Sequence, residues 1–318
     1  MSADGPLVAW LFPGQGAQSV GMGRALFEAS PAARQVFERA DAALGWSISK
    51  LCFEGPESEL VLTKNTQPAI VTTSLAALAA LREAAPDLAP PAFAAGHSLG
   101  EYSALVAAEA LSLEDAVRLV HLRGQSMQEA VPEGRGAMAA IMGADADAVR
   151  ALCEEHAAGE VVQPANFNAP GQVVIAGVAE AVARVSRAAQ ERKLKAIALK
   201  VSAPFHCALM QPAARAVEKA LAEIRIGQLA FPVVSNVEAT ANALPSRVPE
   251  LLVRQIDSPV LWDRSVAHMA EAGVTRALEI GPGKVLAGLV KRIDKRIQVM
   301  GVSEPDALGQ VSEFLAAS

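Results

Sequence analysis

The 318-residue sequence predicts an α/β fold in two parts, a main domain on a parallel sheet and a smaller inserted domain. Three observations carry this expectation. The uninterrupted apolar run at 7–12 has the character of a strand covered on both faces, as in a parallel sheet, and 274–280 reads as a second buried strand. The run at 92–95 leads through Gly96-His97-Ser98-Leu99-Gly100 straight into an Ala- and Leu-rich helical stretch, which is the order strand, sharp turn, helix. Between 136 and 201 the pattern reads strand, helix, strand, strand, helix, strand, the order of a split βαβ unit. With 52% hydrophobic and 19% charged residues, the chain has ample material for both cores.

In chain order, Leu7-Val8-Ala9-Trp10-Leu11-Phe12 is the first strand, closed by Pro13-Gly14-Gln15-Gly16. One amphipathic helix is expected over 24–44, a helical turn over 58–62, and a long Ala-rich helix over 67–83. The proline-marked loop 86–91 delivers the chain to the strand before Ser98, and helix follows over 101–108. Ser112 caps the next helix, with Glu114 and Asp115 in its first turn where the helix dipole favours acids. The inserted domain, taken as 131–202, holds strands at 137–143, 161–168, 172–177 and 196–201, with helices over 145–156 and 180–192. The main domain, 1–130 and 203–318, resumes with a helix from Ala208, a strand over 232–236, helices over 249–255 and up to 272, the strand 274–280, a helix to Ile293, the strand 298–302 and a terminal helix.

The Gly-x-Ser-x-Gly turn makes the main domain α/β-hydrolase-like, a nucleophile elbow presenting Ser98 at the top of the sheet with the Leu99 N–H at a helix start. A serine nucleophile needs a base. His97 adjoins Ser98 and should point away from it, and His97, His121, His156 and His268 all read as surface or cap residues. His206 lies after Pro204 at the re-entry into the main domain, beside the expected crevice, and is the candidate base. No acid follows a main-domain strand end between Ser98 and His206, and Asp257 comes after His206, so the order Ser, acid, His of a hydrolase triad is not met. Arg123 falls on the core-facing stripe of its helix with Ala116, Leu119, Val120 and Met127. Such an arginine needs an anion: either an internal Asp or Glu, or a carboxylate substrate held by two parallel bonds. The 14–19 segment looks at first like a dinucleotide fingerprint, but Ser19 occupies the third glycine position and no acid closes a following strand, so nucleotide binding is rejected. Gln15, bracketed by glycines at a strand's carboxyl end, is placed to lend an N–H or amide to the crevice.

A net charge of −6 leaves no basic surplus for nucleic acid. Met1 to Gly5 lack the layout of a signal peptide, and the longest apolar stretch, 65–81, carries Gln, Pro and Thr and is short for a membrane span. Cys52, Cys153 and Cys207 are far apart, which suits a reducing cytosol and gives neither a disulfide framework nor a zinc site. A cytoplasmic chain without membrane or metal is expected.

Taken together, Phe12-Pro13-Gly14-Gln15-Gly16-Ala17-Gln18, Gly96-His97-Ser98-Leu99-Gly100-Glu101, His121-Leu122-Arg123-Gly124, Ala203-Pro204-Phe205-His206, Gln255 and Gly281-Pro282-Gly283-Lys284 resemble the malonyl-CoA:acyl carrier protein transacylases and the related acyltransferase domains of polyketide and fatty-acid synthases. The resemblance runs in the family's order from 12 to 293 and covers nearly the whole chain. The resemblance implies transfer of a malonyl group from malonyl-CoA to acyl carrier protein, in fatty-acid or polyketide biosynthesis, by a monomer without cofactor. It implies that Ser98 is the nucleophile and His206 the base of a Ser-His dyad, the imidazole oriented by backbone carbonyls near Gln255. It further implies an oxyanion hole at the N–H groups of Leu99 and Gln15, and Arg123 as the grip on the malonyl carboxylate; Phe205 and Leu99 agree with malonyl selectivity. Carrier proteins of this kind are acidic, so Lys291-Arg292 with Lys295-Arg296, or Arg184, Arg187, Arg192 and Lys193, are candidate docking patches.

Overall fold

The computed structural model describes residues 6–317; the N-terminal residues read for a signal layout lie outside them. Ten strands make two sheets: β1 (Leu7–Phe12), β2 (Phe93–Gly96), β3 (Gly136–Met142), β4 (Val162–Ala169), β5 (Gln172–Val178), β6 (Lys195–Ala198), β7 (Val233–Val234), β8 (Ala241–Asn242), β9 (Val274–Ile280) and β10 (Gln298–Val302). The larger sheet runs β10-β9-β1-β2-β7-β8, parallel except for the last pair, and the smaller runs β4-β5-β3-β6, antiparallel throughout. The chain is thus an α/β protein whose main sheet is mixed and mostly parallel.

β1 and β2 lie at the centre of the main sheet, so their carboxyl ends at Phe12 and Gly96 open side by side, in register. Helices cover both faces: Trp10 and Phe12 enter the core beneath the helices Pro31–Leu44, Thr63–Ala84 and Leu113–Glu129, while Ala9 and Leu11 enter a second core with Trp262, Val266 and Leu286. Alternate strand residues face opposite ways, which is why so short a run supplies two cores.

The same period of two joins the small sheet to the large one. Ala139, Ile141, Val173 and Ile175 turn towards the helices Ala146–His156 and Ala179–Glu191 in a core of their own. Met138, Ala140, Val174 and Ala176 turn the other way, into the main core. β4 is tied to the main unit by backbone bonds, Phe167 N–H to the Val260 carbonyl and Val260 N–H to that of Ala165, each 2.9 Å.

Several expected elements are corrected. The helix expected over 24–44 is two, Arg24–Ala29 and Pro31–Leu44, because Ser30 is extended and caps the second, its Oγ accepting the Ala33 N–H with Pro31 at the first helical position. A helix at Ile48–Glu54, capped by Ser47, was not anticipated. The long helix begins at Thr63, not Gln67, and carries Pro68 inside. Pro68 has no N–H for the Lys64 carbonyl, and that carbonyl instead accepts the His121 Nδ1–H at 2.8 Å, which offsets the loss that ordinarily breaks a helix at proline. The strand expected over 196–201 ends at Ala198, the one over 232–236 narrows to β7 and turns back into β8, and a 3₁₀ turn at Ala208–Met210 precedes the helix Gln211–Leu221. The terminal helix is two short ones, Pro305–Leu308 and Val311–Ala316. Among the described residues no helix is long and apolar enough to cross a membrane.

Candidate active site

The elbow is as tight as the glycine pair demands. A Cβ on Gly96 would stand 1.9 Å from the Gly100 carbonyl carbon, and one on Gly100 would stand 2.3 Å from the Phe12 carbonyl oxygen. The turn places Ser98 in the left-handed region, φ +52°, a conformation that costs a non-glycine residue about 1–2 kcal/mol. Asn236, just past β7, holds it there: its Oδ1 accepts the Ser98 N–H and its Nδ2 donates to the Gly96 carbonyl, both at 2.7 Å.

Ser98 Oγ lies 2.7 Å from His206 Nε2, and His206 Nδ1 lies 2.7 Å from the Gln255 carbonyl oxygen. A carbonyl only accepts, so Nδ1 carries the proton, Nε2 is the acceptor, and the serine hydroxyl donates to it. His206, itself at φ +60° and 3% exposed, has its pKa pushed down to about 3 by burial and by the Arg123 charge. The ring is therefore neutral near pH 7 and free to take a proton.

Arg123 is 1% exposed. Its Nη1 donates to Gln67 Oε1 (2.7 Å), and its Nη2 to Gln255 Oε1 (2.9 Å) and Ser98 Oγ (3.0 Å). Among the described residues no carboxylate forms an ion pair with it, so of the two readings open from sequence, the internal partner is absent. Burial lowers its pKa from the ordinary guanidinium value, with Tyr102 and Glu101 acting in the opposite direction. The Leu113–Glu129 helix brings Arg123 this close because Gly124 rests on the Thr63 carbonyl, where a Cβ would come within 2.6 Å.

These groups open into a cleft of about 360 Å³ between the two sheets. Its wall includes Gln15, Met127, Met138, Asn166, Val201 and Phe205. Gln15 Nε2 makes one long bond, 3.5 Å, to Thr63 Oγ1. The backbone N–H groups of Gln15 and Leu99 donate to no protein acceptor among the described residues. Every residue singled out in sequence for the site, Gln15, Ser98, Leu99, Arg123, His206 and Gln255, thus converges on one place.

His97 is corrected: it is no surface residue. Its half-buried ring lines the cleft, donates from Nε2 to Asn168 Oδ1 at 2.8 Å and rests against Trp262; burial lowers its pKa. Sequence reasoning gave no role to Gln67, Asn236 or Glu101. Glu101 stood inside the quoted elbow motif, and Asn236 at a strand's carboxyl end, where sites of open α/β sheets gather. Among the described residues neither candidate basic patch lines the cleft, whereas Lys200 does. Arg184 is held by the His156 and Ala157 carbonyls and Glu160, Arg192 by Glu155, and Arg296 by Asp294.

A parallel-centred α/β sheet with a serine, a neutral histidine and an unpaired buried arginine at its carboxyl edge is the architecture of an acyl-transfer enzyme. The acyl transferase domain family matches residues 9–317. The malonyl CoA-acyl carrier protein transacylase of Bacillus subtilis is 48% identical over 303 residues, 95% of each chain. A malonyl CoA-acyl carrier protein transacylase structure from Coxiella burnetii superposes with a TM-score of 0.96 at 38% identity, covering 98% of this chain and 99% of that one. A malonyl-transacylase solved in complex with its type II polyketide-synthase acyl-carrier protein superposes at 0.93 with 44% identity, covering 96% and 99%. The chain belongs to this family of acyltransferases, the malonyl CoA-acyl carrier protein transacylases.

Proposed function

We propose that this chain moves a malonyl group from malonyl-CoA to the phosphopantetheine thiol of acyl carrier protein by double displacement on Ser98. The observation that carries the reading is the position of Ser98 Oγ, 2.7 Å from a neutral histidine nitrogen and 3.0 Å from a buried guanidinium without a carboxylate partner.

In the first half, Ser98 Oγ attacks the thioester carbon as its proton passes to His206 Nε2. The carbonyl oxygen gathers negative charge facing the free N–H groups of Leu99 and Gln15, an arrangement whose donors are each worth about a hundred- to a thousand-fold. The carbon–sulfur bond breaks, CoA leaves with the proton from His206, and a malonyl-serine ester remains. In the second half the carrier thiol gives its proton to His206 and attacks the ester, and Ser98 Oγ leaves with that proton. The Gln255 carbonyl stabilises the imidazolium at each transfer and keeps the tautomer fixed, the part a third acid plays elsewhere. Arg123 takes the free malonyl carboxylate in two parallel bonds, and a neutral acyl chain would leave that guanidinium unpaired.

Within this reading the main unit, 1–130 and 203–318, is α/β-hydrolase-like, and 131–202 is a ferredoxin-like insert that closes the cleft. The small sheet's order, β4-β5-β3-β6 with two helices on one face, supports that description. The chemistry uses no metal or redox cofactor, the enzyme acts as a monomer, and three free cysteines fit work in the cytoplasm.

The test is incubation with malonyl-CoA, with and without holo acyl carrier protein. Malonyl-loaded carrier protein with little free malonate is expected. Rapid release of malonate whether or not carrier protein is present would make the chain a hydrolase and overturn the reading.

A further inference from the structure

Gln255 serves the site twice: its backbone carbonyl holds His206, and its side-chain amide is strung between two buried charged groups. At one end Oε1 accepts from Arg123 Nη2 at 2.9 Å. At the other, Nε2 donates to Ser98 O at 2.8 Å and to Glu101 Oε2 at 2.7 Å. Glu101 Oε2 also accepts the Asn236 N–H at 3.1 Å. Glu101 is 3% exposed and pairs with no arginine or lysine among the described residues. It sits in the first turn of the elbow helix, where the dipole favours an acid.

An amide has a donor end and an acceptor end, and the two are nearly equal in size. What decides which end faces Arg123 is therefore the polarity of its neighbours. A carboxyl oxygen at one side draws the NH₂ group and leaves Oε1 for the guanidinium. Without that acceptor only the Ser98 carbonyl still draws the NH₂ group closely, and the amide is held less firmly against rotating to present NH₂ to Arg123, donor against donor. Asn236, bound to the same oxygen, is also the residue that holds Ser98 in its left-handed conformation, so one buried carboxyl braces both the clamp and the nucleophile.

We infer that Glu101 is a positioning residue for substrate selection: by fixing the Gln255 amide and the Asn236 backbone it aims Arg123 at the acyl group on Ser98. The inference rests on the reading of Arg123 as the grip on the malonyl carboxylate. Burial raises the Glu101 pKa to about 7, held back by the bonds from Gln255 and Asn236 and by Arg123. Both protonation states keep an acceptor oxygen for Gln255, so the role persists through that titration.

The experiment compares kcat/KM for malonyl-CoA and acetyl-CoA in the wild type and in Glu101→Ala, Glu101→Gln, Glu101→Asp and Arg123→Ala, with circular dichroism as the check on folding. Glu101→Ala is expected to lower the malonyl-to-acetyl ratio by about tenfold or more, since a misaimed clamp of this kind costs up to roughly a hundredfold. Glu101→Gln, whose side-chain oxygen still accepts from Gln255, is expected to stay within about threefold of wild type. If Glu101→Ala slows both donors alike and leaves the ratio unchanged, Glu101 only supports the fold and the inference falls. If Glu101→Gln loses the ratio as fully as Glu101→Ala, charge and not amide orientation is at work, and the inference again falls. Should Glu101→Ala fail to fold, Glu101→Asp withdraws the acceptor while keeping the charge; its ratio must drop where that of Glu101→Gln does not, and the reverse order overturns the inference. Arg123→Ala separates the two levels: a ratio unmoved by that substitution defeats the clamp itself, whereas a ratio that collapses there and not in the Glu101 variants defeats only the role of Glu101.

Discussion

Replacing Arg123 by alanine removes the buried cation beside Ser98, and the structure sets how large the effect must be. The guanidinium has two terminal nitrogens committed to Gln67 and Gln255, with Ser98 Oγ as a third contact, and its Nε makes no bond. A malonyl carboxylate taking two bonds from this group gains about 1.5–3 kcal/mol from each, as charge-assisted bonds do. Their joint loss is then about 3–6 kcal/mol, a fall of roughly two hundred- to twenty thousand-fold in kcat/KM for malonyl-CoA. Acetyl-CoA has no carboxylate to lose. For that donor the missing bond to Ser98 Oγ is offset by removal of an uncompensated buried charge, and the change stays below about tenfold. Initial rates with both donors, followed by release of free CoA, give the two ratios directly. Equal losses on the two donors would refute the clamp, because a purely structural effect of the arginine does not distinguish the acyl groups.

Three further outcomes follow from the same geometry. Burial and the Arg123 charge press the His206 pKa down to about 3, so the acid limb of kcat/KM for Ser98 acylation should lie well below the ordinary imidazole value of 6.5; a limb at or above 6.5 would contradict the neutral-dyad account. The same shift stabilises the fold fully above pH 6.5, and this contribution is lost as the pH falls from 6.5 towards 3, because the unfolded imidazole takes up its proton first. Asn236→Ala removes the acceptor for the Ser98 N–H and the donor to the Gly96 carbonyl, and each buried group left unpaired costs about 1–3 kcal/mol. Denaturant unfolding should show a loss of at least about 2 kcal/mol together with slower acylation, and unchanged stability with unchanged rate would show that the elbow holds its own shape.

The elbow was legible in sequence because steric necessity wrote it there: Gly96 and Gly100 have no room for a Cβ, and the strand before them and the helix after them are strongly patterned. His206 and Arg123 were legible for a different reason, a histidine at a chain re-entry and a cation on an apolar stripe. Both are local anomalies. Asn236, Gln67 and Glu101 are not anomalous locally; an Asn ending a strand or a Glu opening a helix is ordinary, and only the fold reveals that each meets a residue far away in sequence. Element boundaries failed where one residue overrode periodicity. Ser30 interrupts an otherwise continuous amphipathic stretch, and the Ser-Pro pair that marks the break was present in sequence. The start of the long helix was missed ahead of Pro68, where the His121 ring, distant in sequence, supplies the donor that proline lacks.

The central claim is that Ser98 carries the malonyl group. Intact-mass measurement after brief mixing with malonyl-CoA, in the absence of carrier protein, tests it most directly. The account predicts one added malonyl group on the wild type, peptide mapping to Ser98, discharge of the adduct when holo acyl carrier protein is added, and no adduct on Ser98→Ala. An adduct of malonyl size on Ser98→Ala, or transfer to carrier protein with that variant at the wild-type rate, would contradict it.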